Sequence, residues 1–312
     1  MSSTYSAILW KGLTRTVSLC VEHHSRTTKM FLQSSRRFIQ ATKGSVFRVS
    51  KCPFTNISLE KAENGIAQLS LNRENGKNSL SKDMIEEINQ AVAQIRGDQA
   101  VKVLIVKSGV NKVFCAGADL KERLTMKNEE VEAFVEKLRM SFHGVSTLPI
   151  PTIAVIEGAA LGGGLELALA CDLRVAGARA TLGLPETSLA IIPGAGGTQR
   201  LPRVVGVAKA KELIFTSARL TSDEAVKIGL INMSVEADNA LITAEGIALK
   251  IVQNGPIGVR MAKAAIDGGI DVDIEKALEV EKACYAQVVN TEDRLEGINA
   301  FVEKRKSVYK GR

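Results

Sequence analysis

The chain predicts an α/β fold in which a largely parallel sheet is flanked by helices. Three observations predict it. Val101 to Val106 is a continuous apolar run of strand length, as expected of a strand covered on both faces. Pro151 to Ile156 is a second run of the same kind. A helical stretch, Glu129 to Val145, lies between them, and another, Leu165 to Cys171, opens from glycines, so strand and helix alternate along the chain.

The elements follow in order. Met1 to Lys51 carries nine Lys and Arg against the single acid Glu22, a charge of +8, and since the whole chain is +7 the remaining residues come to −1. The basic balance therefore belongs to a leader and does not mark the body as a nucleic-acid binder. Ile8, Leu9, Leu13 and Val17 form one helical face and Lys11 and Arg15 another, in a segment rich in Ser and Arg and poor in acids. That composition predicts a mitochondrial transit peptide and flexible leader over residues 1–51, with processing near Ser35-Arg36-Arg37-Phe38; a basic tail on a cytosolic enzyme is the alternative. No segment holds the roughly 18 unbroken apolar residues that cross a bilayer, so no membrane insertion is expected.

A core is expected over 52–205 and a helical region over 206–312. Asn56 to Leu59 and Ile66 to Leu71 alternate around Glu63-Asn64-Gly65 and predict a hairpin. Ser81 caps an amphipathic helix through Ile85, Ile88, Val92 and Ile95, closed by Gly97. From Lys209 onward the periodicity is helical: Ala210 to Phe215, Ser222 to Ile228, Ala240 to Val252, Pro256 to Ile266, Ile274 to Val289 and Asp293 to Lys304. Pro256 suits a first helical turn and Asp267-Gly268-Gly269 a helix end.

Several chemistries are excluded by residue usage. The five cysteines form no Cys-x-x-Cys pair, and beyond the leader the only histidine is His143, so neither a zinc cluster nor a multi-histidine metal site is indicated. His143 lies in an apolar helical stretch and reads as structural. No Gly-x-Gly-x-x-Gly opens a helix with an acid about 20 residues on, and Pro193-Gly194-Ala195-Gly196-Gly197-Thr198 lacks the lysine of a P-loop and reads as a pocket-shaping loop. The remaining catalytic candidates are carboxylates.

Glu166 and Glu186 each end an apolar stretch, the first after Gly162-Gly163-Gly164 and the second closing Thr181 to Pro185. A lone buried carboxylate is costly, so acids in such surroundings suggest proton transfer. A first-turn acid or a loop cap would explain either one singly. Phe114 to Lys121 follows one buried strand and Gly162 to Gly164 the other, and unpaired N–H groups in such turns suit an oxygen that gains negative charge.

Phe114 to Lys121, Gly158 to Asp172 and Leu184 to Pro202 together resemble the crotonase family of enoyl-CoA hydratases and isomerases, and the likeness runs from about Ile57 to the carboxyl end. Gly76-Lys77-Asn78-Ser79-Leu80, Ala283-Cys284-Tyr285-Ala286-Gln287 and Arg294-Leu295-Glu296-Gly297 resemble most the mitochondrial branch of that family that hydrates 3-methylglutaconyl-CoA.

The resemblance implies a spiral of ββα units, a helical C-terminal trimerisation region and a homo-oligomer, a hexamer built as a dimer of trimers. It implies oxyanion N–H groups at Ala118 and Gly163 and hydratase carboxylates at Glu166 and Glu186. The coenzyme A portion of an acyl-CoA thioester is expected along Ala116, Gly117, Asp119, Leu120, Lys121 and Gly162, with Phe301 and Lys304 reaching it from a neighbouring subunit. No separate cofactor is implied, because coenzyme A is part of the substrate. The implied reaction is hydration of an enoyl-CoA in the mitochondrial matrix, with 3-methylglutaconyl-CoA of leucine degradation first and a short-chain enoyl-CoA of fatty-acid oxidation second. Keeping both carboxylates favours water addition over isomerisation. An RNA-binding relative uses a Lys-rich helix, whereas Ser81 to Asp98 here sets Lys82 and Arg96 against Asp83, Glu86, Glu87 and Asp98, which argues against RNA.

Overall fold

A computed structural model of the chain describes residues 47–49 and 54–312. The expected transit peptide lies outside the described residues, except that Phe47–Val49 forms strand β1.

The hairpin forms as expected from β2 (Ile57–Ala62) and β3 (Ile66–Leu71), closed by a Gly65 N–H bond to the Ala62 carbonyl. Helix α1 (Lys82–Gly97) starts where Ser81 Oγ accepts the Met84 N–H. It buries Met84, Ile85, Ile88, Val92 and Ile95 on one face, each worth about 1.5–3 kcal/mol against exposure. The opposite face keeps few free cations, since Arg96 donates to the carbonyls of Thr147 and Gly144 and Lys82 faces Glu130.

Next come β4 (Val103–Ser108), β5 (Val113–Cys115), α2 (Leu120–Arg123) and α3 (Asn128–Ser146). They are followed by β6 (Thr152–Ile156), β7 (Ala159–Leu161) and α4 (Gly163–Ala170), then by β8 (Leu173–Gly177) and β9 (Thr181–Gly183). A 3-10 turn at Pro185–Leu189 leads to α5 (Gly197–Val205), α6 (Val207–Phe215), β10 (Arg219–Thr221), α7 (Ser222–Lys227) and β11 (Met233–Val235). Helices α8 (Ala240–Val252), α9 (Pro256–Gly269), α10 (Ile274–Val289) and α11 (Glu292–Val302) complete the chain.

Two sheets result. The larger has the order β1-β2-β3-β4-β6-β8-β11, parallel from β3 onward, and the smaller the order β10-β9-β7-β5, parallel except at β10. Successive strands alternate between them: β4 enters the large sheet and β5 the small one, and the same step recurs at β6 and β7 and at β8 and β9. This is the expected spiral of ββα units.

The apolar runs are explained by the two faces of the large sheet. Leu104 and Val106 join a cluster with α1 and α4, while Val103 and Ile105 join Ile153, Val155 and Val175 beneath Ala240, Ala244 and Ala248 of α8. With period two and both faces covered, every position must be apolar.

Four features differ from expectation. The three-residue strands β5, β7 and β9 were not predicted, because three residues are too few to show a period. The glycines at 162–164 therefore follow β7 and not Ile156 directly. Strands β10 and β11 pair with β9 and β8, so the core continues past the expected boundary at 205/206. His143 is exposed, with its carbonyl accepting the Thr147 N–H, and does not sit in an apolar interior.

Helices α9 and α10 pack against each other yet bury none of their residues, and Ile266, Ile270, Ile274, Leu278 and Tyr285 are all exposed. No helix among the described residues is long and apolar enough to cross a membrane.

Candidate active site

The site is assembled where the small sheet ends. Past β5, Leu80 donates its N–H to the Gly117 carbonyl at 2.8 Å and accepts the Asp119 N–H at 3.1 Å, a parallel bridge between Leu80 and Ala118. Since Gly117 and Asp119 supply both bonds to Leu80, the N–H of Ala118 points to the other side.

Past β7, Gly162 has φ +53°, a left-handed conformation that glycine adopts freely, and a Cβ there would lie 3.1 Å from Glu186 Oε1. The next residue begins α4, where N–H groups have no intrahelical acceptor. A Cβ on Gly163 would stand 2.9 Å from Leu80 Cδ1 and 3.6 Å from the Ala118 nitrogen. The chain thus brings Ala118 and Gly163 together across 45 positions, with the side chain of Leu80 packed beside them.

Glu166 lies in the first turn of α4, a helix buried at every position, and is itself 2 % exposed. Its Oε1 accepts the N–H groups of Ala195 at 2.8 Å and Gly197 at 2.7 Å. Burial pushes its carboxyl upward, while the Gly197 and Ala195 amides and the charges of Arg200 and Arg139 favour the ionised form. The expectation that 193–198 shapes the pocket therefore holds, with the addition that this loop grips a carboxylate.

Glu186 enters from the 3-10 turn after β9. Burial is the main cause that pushes its carboxyl up to about 7, with a smaller contribution from the charge of Glu166. Its Oε2 is buried and has no hydrogen-bond partner among the described residues.

Both carboxyls line one cavity of about 610 Å³, together with Ala116, Gly117, Ala118, Leu120, Gly162 and Gly163. Its remaining wall is mostly apolar, with Phe134, Val135 and Leu138 from α3 and Ile191 and Ile192 from the loop after Glu186.

Four expected residues lie outside this lining. Asp119 caps α2 through the N–H groups of Lys121 and Glu122 and pairs with Arg73 at 2.7 Å, so its carboxylate is already engaged. Lys121 is exposed on that helix. Phe301 lines a separate cavity of about 560 Å³ with Tyr309 and Val288, and Lys304 is exposed beyond α11; within one chain neither reaches Glu166.

Three arginines that sequence reasoning missed also line the cavity: Arg123, Arg139 and Arg219. Arg139 donates Nε to the Gly194 carbonyl at 3.0 Å and pairs with Glu136. A signal existed for Arg139, since Phe134, Val135, Leu138 and Arg139 follow helical spacing on one face. Arg219 lies on a strand too short to foresee.

The comparison with known proteins agrees with this geometry. A family description reading enoyl-CoA hydratase/isomerase matches residues 61–312. The chain belongs to the enoyl-CoA hydratase/isomerase family.

Among its relatives in this family, the mitochondrial methylglutaconyl-CoA hydratase of Rattus norvegicus is 51% identical over 257 residues, 81% of this chain and 82% of that protein. The mitochondrial enoyl-CoA hydratase domain-containing protein 2 of Homo sapiens is 49% identical over 259 residues, 82% of this chain and 89% of the relative. The crystal structure of an enoyl-CoA hydratase from Bacillus anthracis superposes with a TM-score of 0.81 at 50% identity, covering 83% of this chain and 100% of that one. As a member of the enoyl-CoA hydratase/isomerase family, the protein is an enzyme with a crotonase fold.

Proposed function

We propose that this protein is a hydro-lyase of the mitochondrial matrix that adds water to 3-methylglutaconyl-CoA and forms 3-hydroxy-3-methylglutaryl-CoA. The observation that carries the reading is the convergence of Glu166 and Glu186 on one cavity beside the Ala118 and Gly163 amides.

The steps follow from the charges. The acyl carbonyl oxygen accepts the N–H groups of Ala118 and Gly163, which stabilise the enolate; loss of one such donor typically costs about 3 kcal/mol of the barrier. Glu166, whose carboxyl is raised by burial against the opposing pull of two amides and two arginines, is the group set to take a proton from water as its oxygen bonds to the β-carbon. Glu186, held near 7 and carrying a proton, delivers it to the α-carbon. The two carboxyls exchange protons as a unit, so a turnover leaves the pair ready for the next.

The preference for a dicarboxylic acyl group is supported by Arg139, whose charge is felt at Glu166 and which would pair with a distal carboxylate. The names of both relatives support a mitochondrial location, and that of the Rattus norvegicus relative supports the substrate. A short-chain enoyl-CoA is the second reading, favoured by the mostly apolar wall. Steady-state kinetics with 3-methylglutaconyl-CoA and crotonyl-CoA separates them, and a preference for crotonyl-CoA overturns the first.

The exposed apolar residues of α9, α10 and α11 support self-association, and we take the hexamer, a dimer of trimers, from the family resemblance. In such a hexamer Phe301 and Lys304 would meet the coenzyme A of a neighbouring subunit.

A further inference from the structure

Glu74-Asn75-Gly76 makes a 3-10 turn, and the next two residues, Lys77 and Asn78, both adopt positive φ, 50° and 54°. Asn78 is fully buried, at 0 % exposure, and none of the proposed chemistry uses it. Asparagine tolerates the left-handed region, but a buried polar side chain needs partners for every donor and acceptor.

Asn78 has all of them. Its Nδ2 donates to Ser108 Oγ at 2.8 Å and to the Phe114 carbonyl at 3.0 Å, and its Oδ1 accepts the Arg73 N–H at 2.8 Å. Its own N–H goes to the Arg73 carbonyl at 3.0 Å, and its carbonyl accepts the Cys115 thiol at 3.0 Å. Ser108 ends a strand of the large sheet and Phe114 belongs to the small one, so a single amide group ties the two sheets together four residues before Ala118.

The neighbours continue the seam. Ala116 donates its N–H to the Lys77 carbonyl at 3.2 Å, after which Leu80 grips Gly117 and Asp119 on either side of Ala118. Residues 77–80 thus run alongside 114–119, with Lys77, Asn78, Ser79 and Leu80 each bonded to that segment.

We infer that Asn78 is a positioning residue for the Ala118 N–H: by locking the 73–80 turn onto β5 it fixes the aim of that amide at the acyl oxygen. A preorganised donor is effective only when it stands where charge develops, and a misplacement of about 1 Å can cost on the order of 10²-fold in rate. The inference rests on the hydratase reading for its kinetic consequence, but carbonyl polarisation can be read without turnover.

The test uses the full protein and butyryl-CoA carrying ¹³C at its thioester carbonyl, a saturated ligand that cannot be hydrated. Isotope-edited infrared spectroscopy reads the downshift of that carbonyl on binding. Asn78→Gly keeps the left-handed backbone accessible and deletes the amide, whereas Asn78→Asp keeps the shape and turns an acceptor toward the Phe114 carbonyl. Ser108→Ala removes one of the two acceptors of the Asn78 amide, along with the Ser108 Oγ bonds to Val110, and remains informative if Asn78→Asp prevents folding.

The expected result is a smaller downshift in each variant, least affected in Ser108→Ala, with kcat on the preferred enoyl-CoA lowered at least about tenfold and KM changed less than about threefold. A wild-type downshift retained in Asn78→Gly and Ser108→Ala overturns the inference and leaves the hydratase reading standing, as does a loss confined to KM. A wild-type protein that shows no downshift sinks the oxyanion site itself, and this inference with it.

Discussion

Glu166 Oε1 accepts the Gly197 N–H at 2.7 Å, a contact between residues 31 positions apart that holds a buried carboxylate in place from outside its own helix. Because the amides approach one oxygen, glutamine at 166 can still accept them. Glu166→Gln is therefore expected to fold and melt near the wild-type temperature while turnover falls at least about 10²-fold, the usual consequence of losing a positioned base. Thermal melting and steady-state hydration assays check both halves. Wild-type activity in this variant would remove Glu166 from the mechanism.

The carboxyl of Glu186 stands at about 7 in the folded protein, above its ordinary value of 4.5. The folded state then binds more proton than the unfolded state between these values, so this group's stabilising contribution is complete below about 4.5 and is lost as pH rises through about 7. Denaturant melts across pH 4.5 to 8 should show that decline, and Glu186→Gln should flatten it. As the proposed acid, Glu186 should also limit kcat/KM on the alkaline side as pH passes about 7.

Arg139 offers the test of substrate class. Arg139→Gln should raise KM for 3-methylglutaconyl-CoA by on the order of tenfold relative to crotonyl-CoA, the size of one hydrogen bond to a charged group. Equal effects on both substrates would assign Arg139 to holding Gly194 and Glu136 only.

The apolar surface of α9 and α10 should hold subunits together. Ile270→Glu and Leu278→Glu, at positions 72% and 53% exposed in the single chain, should lower the mass seen by light scattering without changing helical content. An unchanged mass would place the assembly surface elsewhere.

Much of this molecule was legible before its structure. The helices at Ala240–Val252 and Ile274–Val289 match their expected bounds, and α1 begins and ends at the Ser81 and Gly97 signals, because each shows three or more turns of period. Glu166 and Glu186 stood out because acids among Leu, Ala and Gly are conspicuous. Asp119, set along coenzyme A by the family resemblance, pairs in the structure with Arg73 and caps the start of α2, contacts that no local pattern announces.

What the amino-acid order determined by itself was local: the apolar periods of the long elements, the caps, the charge divided between leader and body, and two acids set in apolar surroundings. Only the tertiary structure decided that Glu186 opens onto the same cavity as Glu166, that the Ala118 and Gly163 amides stand together, that Arg139 lines that cavity and Lys121 does not, and that Asn78 joins two sheets. The reason is that periodicity reports on neighbours a few positions apart, while these relationships join residues 20 to 45 positions apart through strands of three residues, whose pairing depends on the whole spiral being closed.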